Sequence, residues 1–174
     1  VLAARHLVYI YFQVWPEFWA GSGFEDKLLQ AQGDFSLNAG QHSVTYLPND
    51  ETTATGRYQV LLYDNNFGAA ESYPKFDWGQ LGAAVVADYS KGTHSFGRIF
   101  TVDEAARTYE RGDQIAVPLS GYVSSAQRVG DSNSMLVASG IAKTFAEYER
   151  YGLPIATYEM EAEKYIYRVY KYEL

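Results

Sequence analysis

The chain has 174 residues, about one domain by the usual range of ~100 to 200, and its 47% hydrophobic content is enough to fill a core. Lys and Arg number 14 against 21 Asp and Glu, a formal charge of −7 that repels polyphosphates and anionic bilayers, so neither nucleic acid nor a membrane is an expected partner. Without a single cysteine, disulfide frameworks, thiolate zinc sites and thiol nucleophiles are excluded.

The first residues, Val1-Leu2-Ala3-Ala4-Arg5-His6, carry neither an initiator Met nor a signal-peptide layout, and no run of ~18 apolar residues follows. The chain therefore reads as a processed product or a fragment. Residues 1–40 form an irregular, aromatic-rich lead-in, in which Val8 to Phe12 reads as a strand and Trp15 to Gly23 as a Gly-punctuated loop. Phe24 to Leu29 reads as a short helical turn or a strand end.

From residue 41 onward, strand-length apolar or alternating stretches are separated by turn chemistry. The 16 Tyr and nine Phe support this, because aromatic residues suit a pleated, half-buried surface. Gln41 to Leu47 ends at Pro48-Asn49-Asp50, and Tyr58 to Tyr63 ends at Asp64-Asn65-Asn66-Phe67-Gly68. Ala83 to Tyr89 and Gly97 to Val102 give two more strands. Asp103 to Glu110 has helix-like composition but no sustained i, i+3, i+4, i+7 stripe, so a turn followed by an outer strand is expected.

The second half repeats the plan with Tyr122 to Val129, Ser134 to Ser139, Thr144 to Glu149 and Ile155 to Met160. Laying Leu47 on Val129, a spacing of 82 residues, puts His42 on Ser124. Tyr165 to Tyr172 alternates with period two and reads as a final strand. Tandem four-stranded antiparallel units are the layout of a propeller, so the expected fold is all-β, with residues 41–174 as about two blades of a partial β-propeller. A β-sandwich is the competing arrangement.

There is no G-x-x-x-x-G-K-[ST] loop, no G-x-G-x-x-G, no H-E-x-x-H and no G-x-S-x-G, so no cofactor and no metal is implied. Of the three histidines, His6 lies near a ragged end and His94 in a polar turn. His42 opens a strand of the inner type, where neutral imidazole can act as nucleophile or general base; a hydrogen-bonded structural role is its alternative. Asn65 belongs to an ordinary Asx turn one strand away that could orient His42. Ser124 and Ser125 hold the matching place in the second repeat. Arg98, inside an apolar strand, needs a carboxylate if buried. Trp15, Phe18, Trp19 and Trp78 suit either core packing or an aromatic pocket.

The ordered set Gly33-Asp34-Phe35, Gln41-His42, Leu61 to Gly68, Gly97 to Glu104, Ser120 to Ser125 and Tyr167 to Tyr172 resembles the C-terminal part of bacterial aryl-sulfate sulfotransferases, over most of residues 24 to 174. The resemblance implies a six-bladed β-propeller that moves a sulfuryl group from a phenol sulfate to an acceptor phenol by a ping-pong mechanism, without a nucleotide donor. It further implies His42 as the residue that becomes sulfated, Ser124 as a sulfate-holding hydroxyl, and an extracytoplasmic, periplasmic setting; Asn65, from the loop beside His42, is read as a second substrate-binding residue. The family's further His, Asn and Arg of the sulfate site lie on upstream blades that would be this chain's partners, so the chain alone is expected to be inactive. A homodimer is left open. The competing function is a non-enzymatic propeller or sandwich that binds carbohydrate or protein through its Tyr-rich surface.

Overall fold

The computed structural model of the chain describes residues 21, 23, 25–35, 38, 40–47, 56–66, 94–130 and 133–172, with the side chains of Asp26 and His42 excepted. The expected strands at Val8 to Phe12 and Ala83 to Tyr89 lie outside the described residues, as do Trp15, Phe18, Trp19 and Trp78. Among the described residues the fold is all-β, with one 3-10 turn at Glu25–Lys27. Among the described residues no helix is long and apolar enough to cross a membrane.

Among the described residues nine strands form two sheets. The first contains β1 (Gln30–Gln32), β2 (Gln41–Leu47), β3 (Arg57–Asp64), β4 (His94–Asp103) and β5 (Thr108–Pro118) in the order β1-β5-β4-β3-β2. The second contains β6 (Ser125–Val129), β7 (Ser134–Ser139), β8 (Thr144–Tyr148) and β9 (Pro154–Glu159) in sequence order. All pairings are antiparallel except β1 on β5. Each sheet thus contains one four-stranded meander, β2 to β5 and β6 to β9.

Residues directly opposite in an antiparallel pair lie on the same face, and the ladder sorts the apolar side chains accordingly. Tyr63, Gly97 and Ile115 form one row, and Leu61 and Ile99 the next. With Val117 they meet Ala126, Met135 and Val137 of the second sheet in a core between the sheets. Gly97 permits this close packing: a Cβ on it would lie 3.0 Å from Val137 Cγ2 and press that side chain aside. The opposite face of the first sheet carries Tyr58, Val60, Leu62, Phe100 and Val102. Phe35, Phe100 and Tyr109 pack there as three mutually tilted rings at 5.8–6.1 Å, a favoured edge-to-face arrangement. Burial pushes the Tyr109 phenol up to about 12, so that ring stays neutral.

Both faces of β7 are covered, and all six of its residues are buried. Its second cover is the segment that follows β9. Tyr165 to Tyr172 is not a strand, contrary to the alternating pattern. It crosses the sheet and is held chiefly by side chains rather than by a backbone ladder. Ser125 Oγ donates to Val169 O and accepts from Val169 N, both at 3.0 Å. The Gln127 amide does the same with Lys171, both at 2.8 Å. Ser and Gln side chains here replace the main-chain partners a strand would need, which is why period two alone misassigned the segment. Ile166 N donates to Gly140 O at 3.0 Å. Only glycine fits at 140, because a Cβ would overlap the Ile166 carbonyl oxygen and come within 2.6 Å of Val123 Cγ2.

Candidate functional site

The start of β2, the end of β3, the start of β4, the end of β5, the linker 119–124 and the turn 140–143 are brought together at one end of the two sheets by the strand registers. His42, Asn65, His94, Ser124 and Ser125 lie at this end, and Arg98 stands four residues into β4 from it. Gln41 pairs with Asp64, and His42 with Tyr63. The expected placement of the Asp64-Asn65-Asn66 turn one strand from His42 corresponds to this pairing.

His42 is the second residue of β2, which among the described residues is an edge strand of its sheet. The β2–β3 register shifts between His42 and Thr45, and Ser43 has a φ of 53°, the left-handed region that non-glycine residues rarely occupy. Such bulges occur disproportionately at sheet edges and beside active sites, where they re-aim side chains. The matching place in the second sheet is irregular too: Val123 has a φ of 56° and Ser124 of 91°. Two successive positive values, one on a β-branched residue, persist only where surrounding contacts over-determine the backbone.

Those contacts are a network of hydroxyl groups. Ser124 is fully buried; its Oγ donates to Ser120 Oγ and accepts from Gly140 N, both at 2.9 Å. Ser120 Oγ in turn donates to Tyr122 O at 2.9 Å and accepts from Ile141 N at 3.1 Å. Ser95 Oγ donates to Asn65 O at 3.0 Å and accepts from Ser120 N at 2.8 Å. Tyr63 Oη and Ser139 Oγ are 3.4 Å apart, and Ser139 Oγ donates to Pro118 O. Burial raises the Tyr63 phenol above its ordinary value, against the opposing effect of its bonds to Ser139, Ser95 and Ser124. The network is neutral, and it ties the linker between the sheets to both of them.

Asn65 belongs to the same junction. It is 2% exposed, and its Nδ2 donates to Ser120 O at 2.5 Å and Val123 O at 3.2 Å. Its backbone N donates to Gly40 O at 3.2 Å. The side chains of Asn65 and Ser124, expected from the sequence to touch substrate, therefore bond to the linker and the 140–143 turn. In the described residues both act as braces behind the strand entrances.

Arg98 has the carboxylate its burial demands. Its Nη1 lies 2.7 Å from Asp64 Oδ2, with side chains 1% and 0% exposed. This is a charge contact rather than an aligned hydrogen bond. Nε donates to Gln114 Oε1 at 2.9 Å and Nη1 to Asn38 Oδ1 at 3.0 Å, and Phe96 lies beneath the guanidinium at 4.4 Å. Burial pulls the pKa of Arg98 down and Asp64 pushes it back up, while guanidinium remains protonated in proteins. A buried Arg98 calls for an acidic partner on its residue type alone, and Asp64 is that partner. Nothing in the sequence points to Asn38, since a single Asn in a loop carries no periodic signal.

His94 is exposed, and its carbonyl accepts from Asn66 Nδ2 at 3.0 Å. Among the described residues no group of three or more His, Asp or Glu gathers as metal ligands do.

Compared with known proteins, residues 6–170 match the model of a family described as Arylsulfotransferase (ASST). Neither the curated proteins nor the solved structures include a match.

Proposed function

The chain belongs to the arylsulfotransferase family, whose model spans residues 6–170, and from this premise we propose that it transfers a sulfuryl group from a phenol sulfate to an acceptor phenol through a sulfated His42. Its activity is of the arylsulfotransferase type; the histidine route is our reading. The observation that carries it is the position of His42: the second residue of an edge strand, followed by a register shift and a left-handed residue, within the stretch that matches the family.

The chemistry has two displacements. A nitrogen of the His42 imidazole attacks sulfur, the S–O bond to the aryl oxygen breaks, and phenolate departs with the electron pair. The acceptor phenol oxygen then attacks the same sulfur, the N–S bond breaks, and imidazole regains its electron pair as the phenol proton passes to a base. Phenolate is a good leaving group, and splitting one transfer into two steps is the usual benefit of covalent catalysis. Donors aimed at the sulfuryl oxygens stabilise the charge that gathers there.

In this reading the meanders β2 to β5 and β6 to β9 are successive blades of a propeller, with residues 1–40 leading in from a preceding blade. Upstream blades supply the remaining sulfate ligands, and the protein works outside the cytoplasm. The two-sheet packing around Leu61, Ile115, Met135 and Val137 supports a face-to-face blade arrangement.

The test is kinetic. The intact protein that carries this chain, given 4-nitrophenyl sulfate and a phenol, transfers sulfate with no nucleotide added. Double-reciprocal plots at several acceptor concentrations are parallel, as a covalent intermediate requires. Intersecting lines would mean direct transfer between two bound phenols and would sink the histidine route.

A further inference from the structure

Three acceptors from different parts of the chain converge on the buried Arg98: Asp64 at the end of β3, Gln114 of β5 and Asn38 of the loop before β2. A buried guanidinium needs a carboxylate and further hydrogen bonds to offset its desolvation. The sheet already provides Asp64 and Gln114. The third acceptor comes from outside any strand. Asn38 is 3% exposed and precedes His42 by four residues. The same short stretch is fixed twice more, by Asn65 N on Gly40 O at 3.2 Å and by the pairing of Gln41 with Asp64. Asp64 contributes at both places: Oδ2 contacts Arg98, and Oδ1 accepts from Asn66 N at 3.0 Å, which shapes the turn that carries Asn65.

We propose that Arg98 is a positioning residue for His42: through Asn38 and Asp64 it fixes Asn38, Gly40 and Gln41, and with them the point at which His42 enters the sheet. The proposal rests on the reading of His42 as the nucleophile. In-line attack on sulfur needs the reacting atoms aligned at near-contact distance, and a displacement of ~1 Å can cost ~100-fold in rate. Among the described residues β2 pairs with β3 alone, so its entrance is held from one side. The Arg98–Asn38 bond adds a second hold.

Asn38→Ala tests this, since it cuts the link to the loop and leaves Arg98 on Asp64 and Gln114. With 4-nitrophenyl sulfate and the intact protein, kcat and the rate of the first nitrophenol burst fall by about tenfold while KM changes little. Asn38→Asp keeps an acceptor facing the cation and restores kcat to within about threefold of the parent. If Asn38→Ala does not fold, Asn38→Ser, with its shorter side chain, carries the same comparison. The proposal is overturned by unchanged kcat in the truncated variant, by a change in Tm or KM alone, or by Asn38→Asp being as slow as Asn38→Ala. His42→Ala is measured alongside: full turnover there removes the nucleophile reading itself, whereas an inactive His42→Ala beside an unaffected Asn38→Ala removes only the positioning role.

Discussion

His42→Ala abolishes nitrophenol release from 4-nitrophenyl sulfate, with turnover falling by about a thousandfold or more, because loss of a covalent nucleophile leaves only binding and electrostatic contributions to the rate. The fold should tolerate the change. His42 lies at the entrance of β2, and its backbone pairing with Tyr63 does not depend on the imidazole. The variant should therefore keep the parent's Tm to within a few degrees while losing the burst. Donor binding persists, so a competing phenol sulfate still protects the protein against heat to the same degree. A His42→Ala protein that turns over at the parent's rate would place the chemistry elsewhere.

Arg98→Met has the largest expected effect on stability. It removes the cation from beside the Asp64 carboxylate, whose side chain is fully buried, and takes a donor from Asn38 Oδ1 and from Gln114 Oε1, the latter keeping Arg111 Nη1 at 3.3 Å. Removing one partner of a buried ion pair costs about 3–5 kcal/mol, a large share of the ~5–15 kcal/mol that typically separates folded from unfolded domains. The double variant Arg98→Met with Asp64→Leu removes both charges, and an apolar replacement of a buried pair is often near neutral. It should recover more than half of the loss, the remainder reflecting the two amide oxygens and the Asx turn at Asn66. Denaturant unfolding of the two single variants and the double variant measures this. Additive losses would show that Asp64 and Arg98 do not act as a pair.

The strands that were legible in the sequence are those whose neighbours are local. Gln41 to Leu47 and Ser134 to Ser139 match β2 and β7 end to end, because apolar spacing and flanking Asn, Asp and Gly turns carry that information. β5 was anticipated only as an outer strand after the turn at Asp103. Its 11 residues include Glu110, Arg111, Asp113 and Gln114, with burial concentrated at Ile115 and Val117. β1 was missed, since Gln30, Ala31 and Gln32 are all exposed and their pairing with β5 spans nearly 80 residues. Local propensity cannot report such a contact. The C-terminal segment failed for the opposite reason: its alternation is real, but Ser125 and Gln127 side chains take the place of a ladder.

The same division holds at the candidate site. His42 could be singled out from its place at a strand start, and the need of Arg98 for a carboxylate from its place inside an apolar strand. The bracing roles of Asn65 and Ser124 could not. Asn65 depends on the linker 119–124 lying against the end of β3, and Ser124 on the same linker lying against the 140–143 turn, contacts made by tertiary packing. Polar residues at a strand start look alike in sequence whether they face a ligand or a neighbouring carbonyl.

The sulfated intermediate tests the central claim most directly. The intact protein is incubated with an aryl sulfate radiolabelled in the sulfuryl group and no acceptor, then digested and mapped by mass spectrometry. One sulfuryl group per active site should be found on the peptide containing His42, labile to acid as an N–S bond is, and discharged when a phenol is added before digestion. Label on a Tyr or Ser hydroxyl, or no label despite a burst of released phenol, would contradict the account.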